Sequence, residues 1–212
     1  MGVWKFGLDR RASCAAAALL VIPLLAGCQQ TTQVPRQKLI DHIAMIDFTG
    51  LKPIEAIDSV KVQAAVPRQW EQLTAQSNAL YTHQQWRSPS ARTGFGVAHI
   101  KLPLPLGTRM IMWLAKREYT KKANDGRIIS EWTDDLGRPW FEAENDKYRV
   151  RGFVVVNGFH AWVIYFGHKS QLQPDPAELS LAARAATSVV PSMDGTNGVV
   201  PTPAIASAPG DE

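Results

Sequence analysis

The sequence predicts an α+β fold, in which an antiparallel β-sheet is flanked by helices in a single domain. Four apolar segments rich in β-branched and aromatic residues, separated by turn residues, fill residues 126–167 and indicate consecutive strands. Helical periodicity in residues 108–122 and 175–190 adds one helix before these strands and one after them. Neither a repeat nor a long linker divides residues 41–190, a length that suffices for one hydrophobic core.

The first half of this domain is dominated by strand patterns. Residues 59–66, 79–86 and 94–102 combine alternation with β-branched and aromatic side chains. In the third of these segments, the glycine pair Gly94 and Gly96 indicates a bulge rather than a phosphate-binding loop. We therefore expect three strands before the first of the two helices.

Residues 108–122 change from the strand period to the helical period. Met110, Trp113, Leu114 and Arg117 recur at helical spacing, and Thr108 is a suitable N-cap residue. Basic residues crowd the carboxyl end of the segment, where the helix dipole favours them. A strand is the alternative, because residues 109, 111 and 113 also alternate.

The second half of the predicted domain contains clear turn and helix-cap residues. Asn157 and Gly158 lie between two apolar strands and predict a type I′ hairpin, which needs two residues that tolerate positive φ. The last helix has Asp175 as its N-cap, Pro176 at its first position and Glu178 three residues after the cap. Leucine and alanine residues along one side of this helix predict close packing on the sheet.

The first 28 residues carry the most specific signal in the chain. Three basic residues precede an uncharged stretch over residues 12–27, which Pro23 interrupts. That stretch is shorter than the about 20 apolar residues that a membrane-spanning helix needs, so residues 1–27 predict a cleaved secretory signal. Its end, Leu24-Leu25-Ala26-Gly27-Cys28, resembles the lipobox of bacterial lipoproteins.

The lipoprotein resemblance implies how the protein is held in the cell. It implies cleavage before Cys28, a diacylglycerol thioether on the thiol and a fatty acid such as palmitate on the new amino group. Two or three chains give a lasting membrane anchor, since each buried methylene contributes about 0.8 kcal/mol. A plain signal peptide that happens to precede a cysteine is the alternative. Gln29 stands where an aspartate would imply retention at the inner membrane, so the resemblance implies the outer membrane, facing the periplasm, in a cell with two membranes.

The predicted mature chain has one domain between two tails. Cys28 is its only cysteine, because Cys14 lies in the signal, so an internal disulfide is excluded. We expect a tether over residues 28–40, the domain over 41–190 and a disordered tail rich in proline and glycine over 191–212. The net charge of +4 falls to +2 without the signal, as 20 basic and 18 acidic residues remain. This near balance argues against nucleic acid as a partner.

No motif of a known catalytic, cofactor-binding or metal-binding site occurs in the sequence. The five histidines lack metal-ligand spacing; His160 and His168 share one predicted strand but lie about 26 Å apart along it. We therefore expect no catalysis, no cofactor and no metal site.

One segment, residues 131–144, is dense in acidic and aromatic side chains. Its candidate ligand-binding residues are Trp132, Asp134, Asp135, Arg138, Trp140, Glu142 and Glu144. Strand alternation puts Trp140, Glu142 and Glu144 on one face, where an aromatic ring beside carboxylates could bind a sugar or calcium. The alternative is structural: the aspartates form a turn, and the glutamates pair with Arg149 and Arg151 of the next strand.

The order of these features resembles the PsbP-like family. The resemblance rests on the exported lipoprotein signal, an early Pro67-x-x-Trp70, the strand meander with its glycine-tipped hairpin, and the last amphipathic helix, and it covers residues 60–190. It implies a sheet between helices, an α/β/α sandwich, and an accessory or binding role without catalysis. The expected partners are the membrane, through the lipid anchor, and an envelope protein or glycan. A glycan-binding module and a glycan hydrolase using residues 131–144 are the alternative functions.

Overall fold

A large antiparallel sheet forms the centre of the protein, as a computed structural model shows. The structure describes residues 34–121 and 126–192. The predicted signal, Cys28 and the tail beyond residue 192 lie outside these described residues. The sheet order is β3-β5-β6-β10-β9-β8-β7, with β4 also paired to β5. Its strands are β3 (Glu71–Gln72), β4 (Gln76–Ser77), β5 (Tyr81–Arg87), β6 (Thr93–Lys101), β7 (Arg127–Thr133), β8 (Pro139–Glu144), β9 (Tyr148–Asn157) and β10 (His160–Lys169).

Three helices and a small second sheet complete the described fold. The helices are α1 (Arg36–Ala44), α2 (Thr108–Lys121) and α3 (Pro176–Thr187). The small sheet has the order β1-β2-β11 and consists of β1 (Glu55–Ile57), β2 (Val62–Ala64) and β11 (Val190–Pro191). The predicted α+β class is confirmed. The strand alternative for residues 108–122 is wrong, because the helical spacing of this segment buries Ile111, Met112 and Tyr119 against the sheet.

Two apolar layers separate the sheet from the helices on its two faces. Helix α3 contacts β6 and β10 on one face, whereas α2 contacts β7, β8 and β9 on the other. Because alternate residues of a strand point to opposite faces, Ile164 belongs to the α3-side core and the adjacent Tyr165 to the α2-side core. Trp162, which alternation predicts to be buried, is 1% exposed. The result is the expected helix, sheet, helix sandwich.

The meander turns follow the predicted positions with one shift. Asn157 pairs with His160, so Gly158 and Phe159 form the two-residue tip, and of these Gly158 has the positive φ of 56°. A glycine at the first central position is typical of a type II′ turn, so the predicted type I′ turn is wrong. Both turn types match the right-handed strand twist, which is why the hairpin itself forms where the sequence predicts it.

The caps of α2 and α3 differ in detail from the expectation. Asp175 accepts a hydrogen bond from the amide of Ala177 at 2.8 Å and caps α3 as predicted. Glu178 accepts instead from the hydroxyl of Ser90 at 2.6 Å and ties α3 to the loop after β5. Thr108 is the first residue inside α2 rather than its cap, and the carbonyl of Gly107 accepts the first helical hydrogen bonds.

The described residues at the domain edges are more ordered than the tail composition suggests. The expected tether over 28–40 is too long, because α1 begins at Arg36 directly after Pro35. The proline lacks an amide hydrogen, which suits the start of a helix. At the other end, Pro191 pairs with Val62, and the amide of Ser192 donates to the carbonyl of Lys61 at 2.9 Å. Within the described ranges, no helix is long and apolar enough to cross a bilayer.

Candidate functional site

The β7–β8 hairpin contains all of the candidate ligand-binding residues, and Asp134 is its centre. One carboxylate oxygen of Asp134 accepts from the amides of Leu136, at 3.1 Å, and Arg138, at 2.8 Å. The other accepts from Arg138 Nε at 2.7 Å and from Trp140 Nε1 at 2.8 Å. Gly137 supplies the positive φ, 76°, that the turn requires. Four donors therefore occupy both oxygens of this carboxylate.

Arg138 is the buried partner of that carboxylate. Its side chain is 3% exposed, and its guanidinium carbon lies 4.3 Å from the ring centroid of Phe153. Burial raises the pKa of the Asp134 carboxyl, but hydrogen bonds from Trp140 and Arg138 outweigh it, so the pKa lies below its usual range. Burial also lowers the pKa of Arg138, which the carboxylate of Asp134 opposes. The pair is a desolvated ion pair that closes the hairpin over the α3-side core.

Glu142 is held by arginines from the neighbouring strand. Its carboxylate oxygen lies 2.7 Å from Arg149 Nε and 3.3 Å from Arg151 Nε. Burial raises the pKa of Glu142. The hydrogen bond from Arg149 and the charge of Arg151 lower it by more, so the pKa lies below its usual range. Glu144 pairs with Arg127 at 3.1 Å. The cross-strand pairing of Glu142 with Arg149 and Arg151 follows the structural alternative. Glu144 departs from it: of its two register partners, Arg127 on β7 and Arg149 on β9, its carboxylate pairs with Arg127.

Two tryptophans stack across the hairpin. The rings of Trp132 and Trp140 are 5.6 Å apart and inclined by 12°. Trp140 is 6% exposed and packs on Phe153, whereas Trp132 is 40% exposed. Of the remaining acidic residues, Asp135 is exposed, and Glu131 lies on the α2 face, where it binds Lys116 at 2.7 Å. Trp132 therefore presents the one broad aromatic face among the hairpin candidates.

The hairpin geometry restricts its chemistry. A glycosidase needs one carboxyl group with a raised pKa to act as the general acid. The pKa values of Asp134 and Glu142 are lowered, and both groups are bound by cations. These two carboxylates therefore stabilise the hairpin and are poorly suited to proton donation.

A buried polar cluster that the sequence patterns do not indicate lies on the α2 face. Tyr165 Oη accepts from Gln85 Nε2 at 2.6 Å and also contacts His83 Nε2. Burial lowers the pKa of His83 to about 4 and raises that of Tyr165 well above its usual value. Gly96 lies between them in the sheet, and a Cβ at this position would overlap the tyrosine hydroxyl. Gly96 thus makes room for the side chain of Tyr165, and the predicted bulge is wrong because β6 keeps its register with both neighbours.

A second histidine contact lies at the other end of β6 and β10. His99 Nε2 is 3.0 Å from His160 Nδ1, and His99 also stacks on Trp162 at a centroid distance of 5.2 Å. Across the part of the chain that the structure describes, no three His, Cys, Asp or Glu side chains come close enough to hold a metal ion. Alternation does place His160 and Trp162 on one face, but their partner His99 becomes visible only with the strand order.

Comparisons with known proteins find likeness in structure and none in sequence. No known protein family matches the chain, and no curated protein does. The solution structure of cyanobacterial PsbP (CyanoP) from Synechocystis sp. PCC 6803 is similar with a TM-score of 0.47 and 11% identity, over 69% of this chain and 95% of that one. A crystal structure from Bacteroides thetaiotaomicron VPI-5482 is similar with a TM-score of 0.34 and 9% identity; the match spans 68% of this chain and about half, 49%, of that one. This likeness concerns the fold alone.

Proposed function

We propose that this protein is an exported lipoprotein of the bacterial envelope whose single domain acts as a binding or accessory module without catalysis. The observation that carries the proposal is the sequence of residues 24–28, in which a leucine-led apolar signal ends on two small residues and Cys28. Lipidation of Cys28 would hold the domain at a membrane, facing the periplasm at the outer membrane in a cell with two membranes.

The chemistry of the hairpin supports a role without catalysis. Its most buried charges, Arg138 and Glu142, are neutralised by fixed partners within the described fold. A binding role leaves such ion pairs intact, whereas general acid catalysis would need a carboxyl group that gains a proton near neutral pH.

A glycan-binding module is the second candidate function, and Trp132 favours it. An indole that is 40% exposed and stacked on a buried ring offers a rigid flat face. Arg151, whose side chain is 50% exposed, adds hydrogen-bond donors on the same side of the sheet. Loss of binding to purified cell-wall glycan in a Trp132→Ala variant, with retained folding, would support this candidate.

Metabolic labelling with palmitate tests the lipoprotein proposal. We expect label in the wild-type protein and none in Cys28→Ser, because the thiol of Cys28 is the predicted site of the lipid. Cys14→Ser is the matched control and should keep the label, since Cys14 lies in the segment that cleavage would remove. Equal labelling of wild type and Cys28→Ser would contradict the proposal.

A further inference from the structure

Helix α2 has apolar side chains on two opposite sides. Ile111, Met112 and Tyr119 are buried against the sheet. Met110, Trp113 and Leu114 are 46%, 48% and 38% exposed. At about 100° per residue, these two sets centre on opposite sides of the helix. The sheet explains the burial of the first set, and the exposure of the second set leaves an apolar strip, which we call the outer face of α2.

The outer face of α2 is accompanied by positive charge. Arg117 lies over the ring of Trp113, with its guanidinium carbon 4.9 Å from the ring centroid. Residues 108–122 contain five Lys or Arg residues and one acidic residue, Glu118, a net charge of +4. The predicted mature chain has a net charge of +2, so the rest of it carries a net charge of −2. Positive charge is therefore concentrated in this segment; one of its cations, Lys116, is bound by Glu131 of β7, whereas Arg117 lies on the outer face of α2.

We infer that the outer face of α2 docks on the surface of an anionic phospholipid bilayer. A helix with Trp, Met and Leu on one strip and basic residues beside it has the composition of helices that lie in a membrane interface. Arginine and lysine near anionic headgroups are attracted to the surface, and tryptophan prefers the headgroup level. This inference rests on the proposed function in one respect: the bilayer that α2 contacts is the one that holds the lipid anchor.

The chain before α1 sets the reach between the predicted lipid anchor and the domain. Seven residues separate Cys28 from Arg36, where α1 begins. Extended, this stretch spans at most about 26 to 29 Å. Ile46 and Phe48, which follow α1, pack against the α3-side core, so α1 leads into the layer opposite α2. The sheet lies between α1 and α2, so a chain from an anchor on the α2 side would pass around an edge of the sheet to reach Arg36. A lipid anchor at Cys28 would keep the domain beside the bilayer, and the docking inference itself is carried by the exposure and the charge of α2.

Vesicle flotation tests the inference independently of lipidation. The protein used is residues 29–212, which contain every described residue and lack Cys28 and the apolar signal. We expect it to float with vesicles of phosphatidylglycerol, to bind vesicles of phosphatidylcholine at least tenfold more weakly, and to lose binding to the anionic vesicles as salt rises. The double variant Trp113→Ala/Leu114→Ala should bind anionic vesicles at least tenfold more weakly, because it removes apolar contact. Met45→Ala is the matched control, since Met45 is 78% exposed directly after α1, on the side of the sheet opposite α2, and it should bind as the wild type does.

The outcomes separate the two proposals. Binding that Trp113→Ala/Leu114→Ala leaves unchanged, binding equal for both lipids, or no binding at all would overturn the docking inference. A dimer in analytical ultracentrifugation that dissociates in this variant would also overturn it, because a second copy would then cover the outer face of α2. Circular dichroism of each variant confirms that it is folded before its binding is compared. Flotation without palmitate labelling of the full chain would refute the lipoprotein proposal and leave the docking inference standing.

Discussion

Two regions expose a tryptophan to a similar degree, and they differ in what surrounds it. Trp132 of the hairpin stacks on buried Trp140, above carboxylates that are bound by arginines. Trp113 stands on the outer face of α2 with Arg117 above its ring and apolar residues beside it. Stacking on the core ring of Trp140 accounts for Trp132, whereas Trp113 belongs to neither of the two described apolar cores. Exposure alone therefore does not distinguish a docking surface from the rim of a core.

Removing the central carboxylate of the hairpin gives the largest expected effect. Asp134→Ala would leave Arg138 buried without its partner and Trp140 Nε1 without its acceptor. We expect the free energy of unfolding to fall by about 3 to 5 kcal/mol, measured by chemical denaturation. Asp135→Ala, at the exposed neighbour, should change it by less than about 0.5 kcal/mol. If both variants had equally small effects, the hairpin network would be dispensable for stability. The structural role that we assign to the hairpin would then be contradicted.

The pH dependence of stability sharpens the comparison. The buried histidine and the carboxylates of the hairpin affect the free energy of unfolding in different pH ranges. Burial lowers the pKa of His83 to about 4, whereas an unfolded histidine titrates near about 6.5. Between these values the unfolded chain binds the extra proton, so stability falls as the pH drops through this window, by up to about 3 kcal/mol. The pKa values of Asp134 and Glu142 are lowered in the folded chain, so these carboxylates stabilise the fold. That stability is lost at lower pH than the histidine range, as the carboxylates become protonated.

Denaturation midpoints from pH 7 to pH 4 measure this window. His83→Gln should flatten the slope, and His42, whose pKa burial also lowers, should leave a smaller residual slope. An unchanged slope in His83→Gln would contradict the assignment of the window to His83.

The strand meander could be predicted from sequence because its information is local. Alternation and turn residues define β7 to β10, and the pairing of Glu142 with Arg149 and Arg151 follows from their faces. Local patterns do not indicate helix α1, because its nine residues are mostly polar and directly follow Pro35. The cluster of His83, Gln85 and Tyr165 could not be predicted either. Gln85 and Tyr165 are 80 positions apart in the sequence, and they come together only because β6 lies between β5 and β10 in the sheet.

The smallest expected effects compare the two tryptophans directly. Trp132→Ala removes a stacked pair and should lower the free energy of unfolding by about 1 kcal/mol. Trp113→Ala removes a ring that belongs to neither described apolar core and should change it by less than about 0.5 kcal/mol. Denaturation of both variants under one condition measures the difference. A larger loss for Trp113→Ala than for Trp132→Ala would reverse the roles that we assign to the two regions.

Quenching of tryptophan fluorescence by brominated phosphatidylglycerol vesicles tests the central claim most directly, since quenching requires an indole to contact the acyl region. The comparison uses Trp113→Phe and Trp132→Phe, which keep an aromatic ring at each position and remove one fluorophore. We predict that the wild-type chain is quenched, that Trp132→Phe keeps this quenching, and that Trp113→Phe loses most of it. Quenching that persists in Trp113→Phe and disappears in Trp132→Phe would contradict the account and would place the membrane contact at the hairpin.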